Sequence, residues 1–299
     1  MIINHVNQKE WFVGLKQVEV VDPHAQTAFP MLVMYPSNTP GKIEQMGPFS
    51  LEVALDAKPA SGRYPLVIIS HGSGGSLWVY RTLAMHLASH GYIVGVPEHP
   101  FNNRNDNSLD GTVENLTIRP RHLTRAIDYF YESEWCADSI NSDTVSVIGH
   151  SMGGYTALAA AGGKPTSFPH ESPNGIAEQI AVAADPRIRS LVLLAPASVW
   201  FRKPNALDEV HLPILLLAAE KDDYTPHFHS QIILEGVKDR SKVEFAVIHG
   251  AGHFSFLSPF PEKMRHPAFL PATDPPGFDR PAFHQVLNAR VLDFLWPHH

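Results

Sequence analysis

Residues 144–155 read Thr-Val-Ser-Val-Ile-Gly-His-Ser-Met-Gly-Gly-Tyr, an apolar run that passes directly into a glycine-rich turn. The run is typical of a buried strand, and the small residues that continue to Ala161 favour a helix. Gly149–Gly153 fits the pattern Gly-x-Ser-x-Gly in this strand–turn–helix context. Side chains at the two glycine positions would collide with the adjoining strand and helix. The pattern predicts Ser151 as an attacking nucleophile at a helix N-terminus, where unpaired amides favour negative charge.

Short apolar runs alternate with helical patterns through most of the remaining chain. The runs, each a predicted strand, are Pro65–Ser70, Tyr92–Val96, Thr144–Ile148, Ile188–Leu194, Pro213–Ala218 and Lys242–Ile248. The predicted helices are Trp78–His90, Pro120–Glu132, Gly153–Ala161, His227–Val237 and Pro281–Leu295. Continuous Val, Ile and Leu runs are typical of parallel strands covered on both faces. The alternation therefore predicts an α/β fold with a mostly parallel central sheet and helices on both faces.

The chain before Pro65 has a different pattern. Lys16–Val21 and Met31–Tyr35 predict an antiparallel pair at the first, N-terminal edge of the sheet. No repeat or linker divides the chain, so we expect a single domain over residues 1–299. Three long segments are expected to be either lid and binding loops or plain surface insertions. They lie at about 101–117, 162–187 and 257–281.

A second glycine-rich loop follows the strand Pro65–Ser70. Residues 71–75 read His-Gly-Ser-Gly-Gly, and such small side chains let the backbone come close to a substrate. We predict the backbone amides of Ser73 and Met152 as the donors of an oxyanion hole. A phosphate-binding loop is disfavoured because neither Gly-Lys-Ser/Thr nor Gly-x-Gly-x-x-Gly is present. His71 is expected to brace this loop.

An acid and a base follow the serine, in the order that the α/β-hydrolase fold uses. Asp222 and Asp223 both come just after a predicted strand, and Asp222 is favoured because it lies nearer the strand end. His253 lies on a Gly-Ala-Gly loop after the last predicted strand, as a reachable base should. His249 is the alternative, but it lies at the strand end and is expected to be structural. We therefore predict Ser151, Asp222 and His253 as the catalytic residues.

Several aromatic side chains near the carboxyl ends of strands could line an apolar acyl or alcohol pocket, with ordinary core packing as the alternative. The predicted substrate-binding residues are Trp78, Trp200, Phe201 and Phe254. Trp200 and Phe201 are favoured because they follow the strand Ile188–Leu194. His227 and His229 lack further spaced ligands, so no metal site is predicted.

Composition excludes several other classes of protein. The 299 residues carry a net charge of -7 without a dense Lys/Arg run, so no nucleic-acid partner is expected. With 44% hydrophobic and 18% charged residues, the chain can bury a sizeable core. No run reaches the roughly 18 consecutive apolar residues of an integral membrane segment. The first ten residues lack the pattern of a signal peptide, so a cytoplasmic location is expected.

The single cysteine, Cys136, excludes an intrachain disulfide and lies in no activating pattern. The sequence indicates no oligomeric state.

Five stretches, in the same order along the chain, resemble a known family. They are Gly47–Ser50, Ser70–Gly75, Gly149–Tyr155, Asp185–Ile188 and Gly252–Leu257. The chain is similar to bacterial α/β-hydrolases described as predicted dienelactone hydrolases, which are related to plasma platelet-activating-factor acetylhydrolase. The resemblance implies the α/β-hydrolase fold and ester hydrolysis by Ser151, Asp222 and His253 without a cofactor. Dienelactone hydrolases use cysteine as nucleophile, so Ser151 favours the acetylhydrolase side of the family.

The residues and the resemblance together predict a serine carboxylic-ester hydrolase that acts through an acyl-enzyme. Its expected partner is a small-molecule or lipid-like ester. An amidase, a thioesterase or an acyltransferase would use the same three residues, because the acyl-enzyme is common to all of them. A non-catalytic binding protein of the same fold is disfavoured by the intact serine, aspartate and histidine.

Overall fold

The central feature of the computed structural model is a sheet of ten strands, and the structure describes residues 10–298. The strands are β1 (Phe12–Asp22), β2 (Thr27–Ser37), β3 (Lys42–Met46), β4 (Phe49–Leu55), β5 (Tyr64–Ser70), β6 (Ile93–Pro97), β7 (Ile140–His150), β8 (Ile188–Leu194), β9 (Ile214–Lys221) and β10 (Val243–Gly252). The helices are α1 (Arg81–Ser89), α2 (Val113–Glu132), α3 (Met152–Ala160), α4 (Phe228–Gly236) and α5 (Arg280–Leu295). Most of residues 1–10, on which the prediction of no signal peptide depends, lie outside the described residues.

The strand order across the sheet is β10-β9-β8-β7-β5-β6-β2-β1-β4-β3. The six strands from β10 to β6 in that order are parallel to one another. Their carboxyl ends therefore meet at one edge of the sheet, where parallel sheets carry their ligand sites. β7 lies in the middle of the sheet and β10 lies at its outer end. The loops that follow these two strands therefore converge at the carboxyl edge from the middle and from the outer end of the sheet.

Helices cover both faces of this sheet. Alternate side chains of β5 point to opposite faces, as the period of a strand requires. Leu66 and Ile68 are fully buried in one apolar cluster with side chains of α2, α3 and α4. Val67 and Ile69 are fully buried in a second cluster with side chains of α1 and α5. Burial on both faces explains why the central strands are continuous apolar runs.

The N-terminal strands extend further than predicted. β1 and β2 are antiparallel, with Lys16 opposite Val33, as expected. They do not form the edge of the sheet, because β4 pairs with β1 in parallel and β3 pairs with β4. The sequence did not predict the hairpin of β3 and β4, and the prediction that β1 and β2 form the edge of the sheet was wrong. β3 is short and mostly exposed, so its residues show no hydrophobic alternation.

Helix α2 begins seven residues before the predicted start at Pro120. The side chain of Thr112 caps the helix by accepting a hydrogen bond from the Asn115 amide at 3.2 Å. Pro120 therefore lies inside the helix, where it cannot donate to the Leu116 carbonyl. The hydroxyl of Tyr155 donates to that carbonyl instead, at 2.9 Å. The long-range hydrogen bond compensates for the missing backbone donor, so the proline does not end the helix.

The three predicted insertions contain little regular structure. The first, 101–117, ends in the first turn of α2, whereas the other two contain only short 3-10 turns within residues 162–187 and 257–279. Within residues 10–298, no helix combines the length and the apolarity that crossing a bilayer requires.

Candidate active site

The turn that carries Ser151 is strained, as the sequence pattern requires. Ser151 joins β7 to α3 with φ 54° and ψ -120°, a backbone conformation that L-residues rarely adopt. Three backbone hydrogen bonds hold it there. The Ser151 amide donates to the Leu194 carbonyl at 3.1 Å, and the Ser151 carbonyl accepts from the amides of Gly154 and Ala197, both at 2.8 Å. The side chain is therefore presented at the head of α3 by a fixed backbone.

The glycines around the serine permit a close approach of backbone to backbone. A Cβ atom on Gly149 would lie 2.2 Å from the carbonyl oxygen of Gly153. A Cβ atom on Gly153 would lie 1.9 Å from the carbonyl oxygen of Ser70, at the end of β5. Both distances are far inside van der Waals contact. The two glycines are therefore needed for the turn to pack against the neighbouring strand.

Asp222 and His253 form a buried hydrogen-bonded pair. Oδ2 of Asp222 lies 2.9 Å from Nδ1 of His253, and the two residues are only 7% and 6% exposed. Asp222 also accepts hydrogen bonds from the amides of Tyr224 and Thr225 and from the Thr225 hydroxyl. Burial alone would raise the pKa of Asp222, but His253 and Thr225 outweigh burial and lower it to about 2.

The charge of Asp222 determines which nitrogen of His253 carries a proton. An ionised carboxylate only accepts hydrogen bonds, so Nδ1 of a neutral His253 carries the proton. Its Nε2 is then left without a proton and can act as a base.

The alternative acid and base lie elsewhere. Asp223 is exposed. The His249 side chain is 92% exposed, and its Nδ1 lies 2.8 Å from the carboxylate of Glu220. Among the described residues, neither Asp223 nor His249 is hydrogen-bonded to Asp222 or His253.

Ser151 and His253 line the same cavity, which has a volume of about 170 Å³. Its wall is largely apolar, and it includes Trp78 and Phe254, two of the four predicted substrate-binding residues. Other apolar wall residues are Phe49, Leu257, Phe260 and Phe269. Phe260 and Phe269 come from the predicted insertion 257–281. The cavity therefore brings a serine and a histidine together inside an aromatic wall.

The other two predicted substrate-binding residues do not line this cavity. Trp200 donates its indole N–H to the carboxylate of Glu171 at 2.9 Å, and its ring packs edge-on against Tyr155 at 5.0 Å. Phe201 is 2% exposed, and its ring stacks on that of Tyr155 with the ring centroids 5.6 Å apart. Both aromatic rings are core residues beside α3, which corrects the expectation that they contact substrate. Their place after a strand did not indicate which way the rings would turn.

The loop after β5 reaches the nucleophile. A Cβ atom on Gly72 would lie 3.1 Å from Cβ of Ser151, so the loop passes within van der Waals distance of the serine. Gly72 and Ser73 line the same cavity as Ser151. Met152 is the first residue of α3, and an amide at that position has no acceptor within its helix. Of the two predicted oxyanion donors, Met152 follows Ser151 directly in the chain, and Ser73 follows Gly72 on the loop that passes the serine.

His150 contacts the backbone of His253, a contact that the sequence pattern did not predict. Its Nε2 lies 3.0 Å from the carbonyl oxygen of His253. Burial, together with the nearby His253, lowers the pKa of His150 to about 3, so the ring is neutral. A carbonyl only accepts, so Nε2 of His150 donates to it. The residue before the nucleophile thus fixes the backbone of the residue expected to be the base.

This chain is similar to several known proteins. A family model described as platelet-activating factor acetylhydrolase, isoform II, matches residues 44–113. The platelet-activating factor acetylhydrolase of Canis lupus familiaris is 27% identical over 33% of this chain and 32% of its own length. Cutinase 2 of Thermobifida cellulosilytica is 24% identical over 64% of this chain and 61% of its own length. This chain thus spans about a third of the length of the acetylhydrolase it matches.

A solved structure extends the similarity over the whole fold. The ferulic acid esterase from Streptomyces cinnamoneus superposes with a TM-score of 0.66 at 17% identity, covering 99% of this chain and 92% of that one. The predicted α/β-hydrolase fold is thereby confirmed. Within that class, the chain is similar to the platelet-activating factor acetylhydrolases, as its sequence motifs indicated.

The hydrogen bond between Asp222 and His253 leads to a test of the two adjacent aspartates. We expect Asp222→Asn to lower kcat about 10⁴-fold, because the amide would favour the wrong tautomer of His253. Asp223→Asn should leave kcat close to that of the wild type, since Asp223 is exposed. Steady-state rates with a short p-nitrophenyl ester measure both effects. A larger loss in Asp223→Asn than in Asp222→Asn would assign the acid to Asp223.

Proposed function

We propose that this protein is a serine carboxylic-ester hydrolase that acts through an acyl-enzyme. The observation that carries the proposal is the placement of Ser151, on a strained turn, in one cavity with a histidine that is hydrogen-bonded to a buried carboxylate. Such an arrangement is typical of nucleophilic catalysis. The similarity to acetylhydrolases and cutinases supports the same reaction class.

The proposed mechanism assigns one role to each residue. Nε2 of His253 takes the proton of the Ser151 hydroxyl as its oxygen attacks the ester carbonyl carbon. Asp222 orients the imidazole and stabilises its charged form. The amides of Ser73 and Met152 donate to the oxyanion of the tetrahedral intermediate.

The intermediate collapses when His253 returns the proton to the leaving alcohol, which leaves an ester between Ser151 and the acyl group. Water then attacks that ester with His253 again as base, and the carboxylic acid and free Ser151 are released.

The cavity supports a small or lipid-like ester as substrate. Its volume of about 170 Å³ is close to the roughly 150 Å³ of cavities that hold a benzene-sized molecule. One acyl or alcohol group of that size would contact apolar wall residues such as Trp78 and Phe254. The cytoplasmic location stays a prediction of the sequence.

A panel of substrates with one acyl group tests the reaction class. We expect faster turnover of the p-nitrophenyl ester than of the matching thioester, as the proposed reaction class requires. Turnover of the matching anilide should be slower as well, because an amide nitrogen is the poorer leaving group. Short acyl chains should be preferred over long ones, since the cavity beside Ser151 is small. The Ser151→Ala protein serves as the blank. Faster cleavage of the anilide or thioester, or acyl transfer to an added alcohol that outruns hydrolysis, would contradict the proposal.

A further inference from the structure

Arg119 is a buried arginine without a carboxylate partner. It lies on α2, is 0% exposed, and no ion pair involves it within residues 10–298. Other arginines do have such partners, for example Arg121 with Asp22 and Arg280 with Asp274. Burying an unpaired guanidinium is unfavourable for stability. The presence of this buried charge despite its cost in stability indicates that Arg119 has a function.

The three nitrogens of this guanidinium donate to three separate parts of the fold. Nε donates to the Thr156 hydroxyl on α3 at 2.9 Å. Nη1 donates to the side-chain oxygen of Asn102 at 2.6 Å. Nη2 donates to the carbonyl of His71, at the start of the loop after β5, and lies 3.4 Å from the Ser70 hydroxyl. The planar fork of arginine suits such divergent bonds, which a lysine ammonium cannot reproduce.

Each of these acceptors is one step from a proposed oxyanion donor. The Thr156 hydroxyl donates to the carbonyl of Met152 at 3.0 Å. The Asn102 amide donates to the Ser73 hydroxyl at 2.9 Å. The carbonyl of His71 is followed directly by Gly72 and Ser73. Arg119 therefore connects the residues on both sides of the oxyanion position through short chains of hydrogen bonds.

The groups that face Arg119 leave its charge largely uncompensated. Tyr80 and Tyr155 are buried, and burial raises the pKa of both phenols, so they are neutral. Burial and the charge of Arg119 lower the pKa of His71 to about 3, and His99 and His122 are also kept neutral. Asp110 attracts the guanidinium from beyond ion-pair distance. The hydrogen bonds to loop and helix are thus the direct contacts of this cation.

We propose that Arg119 is a positioning residue that holds the amides of Ser73 and Met152 at the separation an oxyanion requires. The inference rests on the proposed serine mechanism, because it concerns the oxyanion hole of that mechanism. Arg119 acts through His71, Asn102 and Thr156 and does not touch the reacting atoms.

The test compares Arg119→Lys and Arg119→Gln with the wild-type enzyme. Active sites are first counted by titration with a fluorophosphonate, so that kcat refers to folded, reactive protein alone. We expect kcat per active site to fall about 10²-fold in both variants, the loss seen when an oxyanion donor is removed. The KM should change much less, because the ground-state ester does not need the oxyanion donors.

The inhibition constant of a trifluoromethyl ketone distinguishes a positioning role of Arg119 from a merely structural one, because loss of a structural role would leave that constant unchanged. The Ser151 oxygen adds to the carbonyl carbon of this ketone, and the carbonyl electron pair becomes an oxyanion at the position in question. Its inhibition constant should rise by nearly the same factor as kcat/KM falls. Arg187→Lys is the matched control. Arg187 binds Asp185 and Asp128 at the amino end of β8, whereas the candidate site lies at the carboxyl ends of the strands. It should lose stability but keep its kcat per active site.

The outcomes separate the two proposals. Wild-type kcat per active site in either Arg119 variant, or an unchanged inhibition constant, overturns the positioning role. Failure of the wild-type protein itself to react with the fluorophosphonate overturns the proposed function instead. If both Arg119 variants fail to fold, Asn102→Ala provides the same test, since it removes the link between Arg119 and Ser73.

Discussion

Replacing Ser151 with alanine is expected to lower kcat for ester hydrolysis by about 10⁶-fold, the scale seen when the nucleophile of a serine protease is removed. The loss should be chemical and not structural. Alanine keeps a Cβ atom. The hydrogen bonds of Ser151 to Leu194, Gly154 and Ala197 join backbone atoms only, so the substitution leaves them in place. Labelling by a fluorophosphonate probe should disappear together with turnover, while the thermal unfolding transition should stay near that of the wild type.

Ser146→Ala is the matched control for this substitution. Ser146 lies on β7, the strand that leads to Ser151, five residues before it, and its hydroxyl lies 2.8 Å from that of Ser190. Its loss should lower stability by about 1 kcal/mol, the usual net value of a hydrogen bond, and leave kcat per folded molecule unchanged. Retained labelling in Ser151→Ala, mapped to another residue by mass spectrometry, would show that the nucleophile had been assigned wrongly.

Gly153→Ala is expected to prevent formation of the native fold or to destabilise it by about 3 kcal/mol or more. The new Cβ atom would lie 1.9 Å from the carbonyl oxygen of Ser70 and 3.1 Å from that of His71. These are backbone atoms of a central strand and its loop, so they cannot move aside as a flexible side chain would. Soluble yield and denaturant unfolding measure the effect.

Gly175→Ala is the control that separates the steric clash in Gly153→Ala from the general effect of replacing a glycine. Gly175 has φ 70° and no atom within 4 Å of an added Cβ. Only the backbone strain of a positive φ applies there, which costs about 1–2 kcal/mol. Equal stability losses in the two variants would show that the turn can relax, and that the close approach of α3 to β5 is not essential.

The inner parallel strands followed from local sequence, because they are buried on both faces and so form continuous apolar runs. In the hairpin of β3 and β4, β4 alternates buried and exposed residues along Phe49–Val53, a strand pattern that the prediction overlooked. β3 has no such pattern. Lys42–Met46 is short and mostly exposed, and such a strand is specified by its partner and not by its own pattern. The start of α2 was missed because Pro120 is tolerated through a hydrogen bond from Tyr155, a contact that only the folded chain provides.

The same distinction applies to the candidate site. Ser151 and the His253 loop are marked by glycines close in sequence, and strand ends located Asp222. Arg119 carries no such signal, since its acceptors lie 17 to 48 residues away along the chain. The directions of Trp200 and Phe201 depend on the packing around Tyr155, which a position after a strand does not specify.

The sheet order gives the nucleophile and the base different neighbours. Ser151 follows β7, which lies between β5 and β8, whereas His253 follows β10, which has a neighbour on one side only. Backbone amides on an outer strand open to solvent more readily than those in the middle of a sheet. Gentle warming or low denaturant should therefore loosen the histidine before the serine, so catalysis fades while most slowly exchanging amide protons are still protected.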